Sequence, residues 1–88
     1  MEKQKDGVLM EKNVIFIKDE YITLSQLLKL TNLFPSGGVI KNYINEEGVY
    51  VNDELEFRRG KKLYHNTIVR LKSGETFHVI NEDIKQDE

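Results

Sequence analysis

The sequence contains no cysteine, so a disulfide, a zinc–thiolate centre and a thiol nucleophile are all excluded. No apolar run approaches the roughly 20 residues that a membrane-spanning helix needs. The charged N-terminal segment also lacks the apolar stretch of a secretory signal peptide. We therefore expect a cytoplasmic protein that does not bind a membrane. The 88 residues allow one domain with a small core, because chains below about 100 residues rarely divide into two.

The net charge of -2 conceals an uneven distribution of charge along the chain. Residues 57–72 include six basic residues and no acidic one, whereas residues 75–88 include five acidic residues and one lysine. A ligand responds to the field within about 8–10 Å of its own charges. The basic segment can therefore attract a phosphate-bearing partner although the whole chain is slightly acidic.

Hydrophobic periodicity divides the chain into three predicted parts: a mobile tail over residues 1–12, a single domain over residues 13–80 and an acidic tail over residues 81–88. Residues 13–17 are β-branched and aromatic, and we expect them to form a strand at the edge of a later sheet. Further strands are predicted at 49–51, 68–71 and 76–80. The predicted fold is α+β, with two packed short helices against a small, mostly antiparallel sheet.

The first predicted helix begins after Thr23, which with Gln26 fits a capping box. Leu24, Leu27 and Leu28 then form one apolar face. The helix is expected to fray near residues 31–32 and to end before the proline at position 35, because a residue that precedes proline is pushed away from helical backbone angles.

The second predicted helix begins after Ser36, whose hydroxyl can cap the first turn. Gly48 lies where a helix C-terminus favours a residue with positive φ. The apolar face of this helix is predicted from four residues that recur at intervals of three and four: Val39, Ile40, Tyr43 and Ile44. Eight residues are expected to be buried together: Val39, Tyr43, Ile44, Leu24, Leu27, Leu28, Val49 and Val51. Tyr64 is also assigned to the core, and Tyr50 to the surface.

The strongest functional signal is the basic segment Arg58-Arg59-Gly60-Lys61-Lys62. A nucleic-acid backbone requires several cations close together, and a glycine lets the main chain approach a phosphate. The alternative is an ordinary solvated loop.

A second candidate anion site is Ser36-Gly37-Gly38 at the start of the second helix. Free amides and the positive end of the helix dipole favour a phosphate there, and Lys41 lies one turn further on. The alternative is a plain cap and tight turn.

Other functional groups do not form a pattern that predicts chemistry. His65 and His78 lack the further ligands that a metal site needs. The serines lack the motif of an activated nucleophile, and the carboxylates lie at turns and helix ends, where solvent covers them. We therefore expect neither a cofactor nor catalysis.

Segment Gly48-Val49-Tyr50-Val51-Asn52, after a helix headed by Ser36, resembles the S4 (S-four) RNA-binding domain, the αL motif named for ribosomal small-subunit protein four. More narrowly, residues 36–41 and 58–63 resemble the small, free-standing bacterial S4-like proteins of the YaaA type. The resemblance spans roughly residues 21–71. The wider family places arginines near the start of each helix, whereas this chain has Thr23 and Gly37 there.

The resemblance implies a non-catalytic protein that binds structured RNA, either ribosomal or transfer RNA, and we expect it to be a monomer. Its phosphate contacts would come from the second helix and the basic loop, through eight residues: Ser36, Gly37, Gly38, Lys41, Arg58, Arg59, Lys61 and Lys62. The alternative is a protein–protein interaction module that docks through the acidic tail and does not bind nucleic acid.

Overall fold

The computed structural model describes residues 9–11 and 13–85. These residues form three helices and eight strands. Their order along the chain is β1 (Leu9–Glu11), β2 (Val14–Ile17), β3 (Ile22–Thr23), α1 (Leu24–Leu30), α2 (Gly37–Glu46), β4 (Val49–Val51), β5 (Glu54–Glu56), β6 (Lys62–Leu63), β7 (Ile68–Arg70), β8 (Thr76–Asn81) and α3 (Glu82–Lys85).

Within the described residues, six strands form one sheet in the order β1-β2-β8-β7-β4-β5. Strands β2 and β8 are parallel, and the other neighbours in this sheet are antiparallel. Strands β3 and β6 form a separate antiparallel ribbon. The predicted α+β fold with a mostly antiparallel sheet is thereby confirmed. No helix in the described part of the chain combines the length and hydrophobicity needed to cross a membrane.

Both predicted tails contain regular structure where they are described. Residues 9–11 form β1, which pairs with β2, so β2 lies inside the sheet and not at its edge as expected. Asn81 completes β8 and is buried, and the four residues after it form α3. Residues 1–8, 12 and 86–88 lie outside the described part of the chain.

Helix α1 begins with the predicted capping box. Thr23 Oγ1 accepts a hydrogen bond from Gln26 N at 3.3 Å, and Gln26 Oε1 accepts one from Thr23 N at 2.9 Å. The helix ends at Leu30, with Thr31 as its C-cap. The hydroxyl of Thr31 donates a hydrogen bond to Leu28 O at 2.7 Å, so a side chain binds a backbone carbonyl of the last turn where the helix ends. Asn32 then adopts positive φ.

Helix α2 also begins and ends as predicted. Ser36 Oγ accepts a hydrogen bond from Val39 N at 3.3 Å. Gly48 has φ +80°, and its amide donates to Ile44 O at 3.1 Å. A Cβ atom at this glycine would lie 2.9 Å from side-chain atoms of both Leu55 and Phe57. The glycine is therefore needed for backbone angle and for space.

The helix pair, the sheet and the ribbon all contribute buried residues to one core. Its buried apolar residues are Ile15, Ile17, Ile22, Leu24, Leu27, Leu28, Ile40, Ile44, Val49, Val51, Leu63, Val69, Leu71, Phe77 and Val79. Six of the eight residues predicted to be buried are among them. Burial of Val39 was predicted wrongly, because its side chain is 42% exposed.

The error arises from where the apolar face of α2 is centred. Ile40 and Ile44 are the fully buried pair, and Val39 and Tyr43 lie four residues apart along the flank of that face. Tyr43 is half-buried and packs against the core, with its ring centroid 5.0 Å from that of Phe34. Val39 is one turn closer to the start of the helix, where the core no longer covers it.

Candidate nucleic-acid interface

The basic loop, residues 58–62, is attached through its main chain to the start of α1. Leu24 N donates to Lys61 O at 2.9 Å, and Ser25 N donates to Arg59 O at 3.0 Å. The next amide, that of Gln26, is bonded to the capping threonine. The first three amides of α1 are thus used inside the protein, so this helix start has no free donors for an anion.

Because the carbonyl groups of the loop point to α1, its side chains extend outward. Those of Arg58, Arg59 and Lys62 are exposed, and that of Lys61 is half-buried. Within the described residues, neither Arg59 nor Lys61 forms an ion pair. These cations belong to one segment of the chain, and the tertiary structure adds the anchor that holds this segment on α1.

Arg58 differs from the other cations because it already has a carboxylate partner. Its Nε lies 2.7 Å from Glu56 Oε2, and its Nη2 lies 3.2 Å from Oε1. These hydrogen bonds lower the pKa of the Glu56 carboxyl below its ordinary value of 4.5 and raise that of the Arg58 guanidinium. The pair is charged at neutral pH, so Arg58 is partly neutralised by its neighbour.

An open groove runs along the outside of the loop. Its lining residues are Arg58, Gly60, Lys61, Lys62 and Tyr64. Tyr64 was predicted to be in the core, but its side chain is 46% exposed. The reason is strand alternation: Leu63 of β6 is fully buried, so the next side chain points to the opposite face.

Tyr64 lies against a second exposed tyrosine. The ring centroids of Tyr21 and Tyr64 are 5.8 Å apart at an interplanar angle of 60°. The Nζ atom of Lys62 lies 4.9 Å from the centroid of Tyr21. The basic groove therefore continues into a small aromatic surface, which sequence reasoning missed.

The start of α2 forms a separate cationic region. The amides of Gly37 and Gly38 have no hydrogen-bond partner among the described residues. A Cβ atom on Gly37 would lie 3.8 Å from Cε of Lys29, so α1 contributes a lysine beside the first turn of α2. Lys41 is exposed one turn further on. Two unpaired amides and two lysines can thus face an anion here.

A cavity of about 290 Å³ lies beside α1. Lys29 and Gln26 of α1 line it, together with Tyr21, which borders the basic groove. Asp19 also lines this cavity and adds a negative charge. Of the predicted site residues, Arg58, Lys61 and Lys62 share the groove; neither Arg59 nor Lys41 is part of its lining in the described structure.

Three residues of this surface were not predicted from the sequence: Tyr21, Lys29 and Glu56. Tyr21 is separated from the basic segment by some 40 positions, and only the pairing of β3 with β6 brings them together. Lys29 approaches Gly37 because α1 packs on α2. Glu56 was noticeable as an acidic residue two positions before Arg58, and that spacing was the available signal.

The histidines take part in structural hydrogen bonds. Nδ1 of His65 accepts from Asn81 N at 3.0 Å, and Nε2 of His78 lies 3.3 Å from Asn66 Oδ1. Within residues 9–11 and 13–85, no cluster of three or more potential ligands is placed to hold a metal ion. The cations and exposed aromatic rings of the groove can bind anions and flat apolar groups.

Comparison with known proteins gives two matches. Residues 15–80 match the model of a family described as "S4 domain". A protein of Bacillus subtilis (strain 168), described as "Probable ribosome maturation protein RlbA", is 45% identical over 69 residues, which cover 78% of this chain and 97% of that relative. No solved structure matches the chain significantly.

Proposed function

Since this chain belongs to the S4 domain family, we propose that it is a non-catalytic protein that binds structured RNA through its basic loop and the start of α2. The name of the Bacillus subtilis relative refers to ribosome maturation, which supports ribosomal RNA as the partner, with transfer RNA as the second candidate. Eight residues carry the proposed phosphate contacts: Ser36, Gly37, Gly38, Lys41, Arg58, Arg59, Lys61 and Lys62.

The observation that carries the proposal is the attachment of the basic loop to α1. Arg59 O and Lys61 O each accept a hydrogen bond from an amide at the helix start. Several cations are thereby held beside one another before any ligand arrives. A loop that is already ordered loses less conformational entropy on binding, so more of the electrostatic attraction is retained as affinity.

The start of α2 supplies a different kind of phosphate contact. The unpaired amides of Gly37 and Gly38 are oriented donors, and Lys29 and Lys41 add charge. Neither glycine has positive φ, and a Cβ atom at each would make only ordinary contacts of 3.8 and 3.9 Å. The fold itself therefore tolerates a side chain at both positions, which is consistent with glycines that leave space for a ligand.

Phosphate contacts position an RNA but do not read its sequence. The specificity of this protein should then depend on the shape of the RNA, because two phosphate-binding regions at a set separation fit only some backbone paths.

The proposal is tested by measuring binding to purified bacterial ribosomal RNA and transfer RNA over a range of salt concentrations. The variant combines Arg59→Gln with Lys61→Gln, which removes two of the loop cations that form no ion pair within the described residues. If each contacts one phosphate, the slope of log affinity against log salt should fall by about 1.4–1.8, from roughly 0.7–0.9 per contact.

The matched control combines Arg70→Gln with Lys72→Gln. It removes the same charge, but from residues that lie 3.8 Å and 3.9 Å from the carboxylates of Asp53 and Glu47. Equal losses in both variants would mean that attraction is diffuse and that the loop is not a site. If the unmodified protein binds neither RNA, the proposed function is wrong, and the protein-interaction alternative gains support.

A further inference from the structure

We propose that the exposed face of the β3–β6 ribbon holds one unpaired base of the bound RNA, which stacks on the ring of Tyr64. This inference rests on the proposed RNA binding and adds the class of RNA: one that presents an unpaired nucleotide, in a bulge, loop or end, next to the phosphates held by the basic loop.

The ribbon places the aromatic and basic side chains on one face. Ile22 pairs with Leu63, and both are buried on the side of the core. In an antiparallel pair, the preceding residue of one strand then lies opposite the following residue of the other, which sets Tyr21 against Tyr64 on the outer face. Lys62 is two residues before Tyr64 and therefore shares this face.

The two tyrosines differ in what already covers them. Tyr21 is 37% exposed and has the ammonium of Lys62 over its ring. Tyr64 is 46% exposed and is flanked by Tyr21 at one side. Tyr64 also lines the basic groove. Tyr64 is therefore the ring on which a base can stack, and Tyr21 packs against the side of Tyr64.

The main chain of Tyr64 is held in place by Thr67. Tyr64 N donates to Thr67 Oγ1 at 3.1 Å, and Thr67 N donates to Tyr64 O at 3.1 Å. Thr67 is itself buried, and Asn66 between them has positive φ, so a tight turn follows the ring. A ring on an ordered backbone suits stacking, because little further ordering is required on binding.

The cations around Tyr64 determine the chemical class of the ligand. Arg58, Lys61 and Lys62 line the same groove as the ring, so a group that stacks on Tyr64 has phosphate-binding side chains beside it. Bases inside a duplex hide their faces against one another, whereas an unpaired base presents a face that an aromatic side chain can cover. A flat base with a flanking phosphate matches both parts of the surface.

The test uses two blunt-ended RNA duplexes with the same base pairs. One carries a single bulged 2-aminopurine, whose fluorescence falls when it stacks, and the other is fully paired. The protein should prefer the bulged duplex and quench its fluorescence. Tyr64→Leu should weaken binding to the bulged duplex by roughly 5- to 150-fold, the range for loss of one base–aromatic stack, and should leave binding to the paired duplex unchanged. Tyr64→Phe should retain the preference.

Tyr50→Leu is the matched control, because Tyr50 is a half-buried tyrosine that lies under the guanidinium of Arg70 and not in the groove. It should leave the preference intact. If the protein binds ribosomal RNA but does not distinguish the two duplexes, or if Tyr64→Leu weakens binding to both equally, stacking is overturned while RNA binding stands. If the protein binds no RNA at all, the proposed function fails together with this inference.

Discussion

Arg58 and Glu56 form a two-bond ion pair, with Nε 2.7 Å from Oε2 and Nη2 3.2 Å from Oε1. The same Oε2 also accepts a hydrogen bond from the amide of Arg58 at 3.0 Å. One carboxylate thus holds both the main chain and the side chain at the start of the basic loop. It also brings a negative charge into the surface that we propose for RNA, so it opposes the attraction that its neighbours create.

The ion pair should make the free energy of unfolding depend on pH in the acidic range. The pKa of Glu56 is lowered in the folded protein by its hydrogen bonds to Arg58. The ionised Glu56 therefore contributes stability above the ordinary glutamate pKa, and this contribution is lost as the pH falls through the lowered pKa. Denaturant unfolding at pH 6 and at pH 3 should show that Arg58→Gln loses less stability on acidification than the unmodified protein. Because Arg58 is largely exposed, the difference should be small. Identical pH dependence would show that the pair contributes no stability.

Removing the negative charge of Glu56 should strengthen RNA binding. Glu56→Gln retains an oxygen acceptor for the loop amide but frees the guanidinium for a phosphate. We expect an increase in affinity of about two- to five-fold at low salt, of the size of one charge interaction through water, and a smaller increase at high salt.

Glu47→Gln is the control for that prediction, since Glu47 pairs with Lys72 outside the basic loop. Binding titrations of both variants at two salt concentrations give the comparison. An unchanged affinity in Glu56→Gln would mean that Arg58 does not reach the RNA.

Substitution of Gly60 in the basic loop should affect RNA binding without lowering stability. No atom lies within 4 Å of a Cβ placed on Gly60, and its φ is not positive. Gly60→Ala should therefore leave stability unchanged or raise it by about 0.4–1 kcal/mol. RNA affinity should fall if the RNA backbone approaches the loop closely. Gly74→Ala provides a comparison, because this hairpin glycine has φ +111° and should lose stability. Full RNA affinity in Gly60→Ala would rule out a close approach at this residue.

Truncation of the buried Ile44 in α2 should destabilise the protein far more than truncation of the exposed Val39 on the same helix. Ile44 is fully buried, whereas Val39 on the same helix is 42% exposed. Ile44→Ala should lower the free energy of unfolding by about 2–5 kcal/mol, and Val39→Ala should change it by about 0.5 kcal/mol or less. Thermal or urea unfolding of the two variants measures both. Similar losses would contradict the burial that the structure shows.

The ends of both long helices could be predicted from short-range patterns in the sequence. The capping box of Thr23 and Gln26, the serine cap of α2 and the positive φ of Gly48 were all predicted correctly. Each of these depends on residues within a few positions, so the chain carries the information where it is used. The S4-like resemblance was confirmed for the same reason, since it rests on a contiguous helix–glycine–strand segment.

Tertiary structure decided the rest, because strand pairing and helix packing join positions that are distant in sequence. Whether Val39 or Ile40 faces the core depends on how α2 packs, and whether Tyr64 is buried depends on which face of the ribbon meets the helices. The basic segment itself was evident from composition. Its anchor on the first amides of α1, and the aromatic pair beside it, exist only because residues 58–64 return to residues 21–25 in the folded chain.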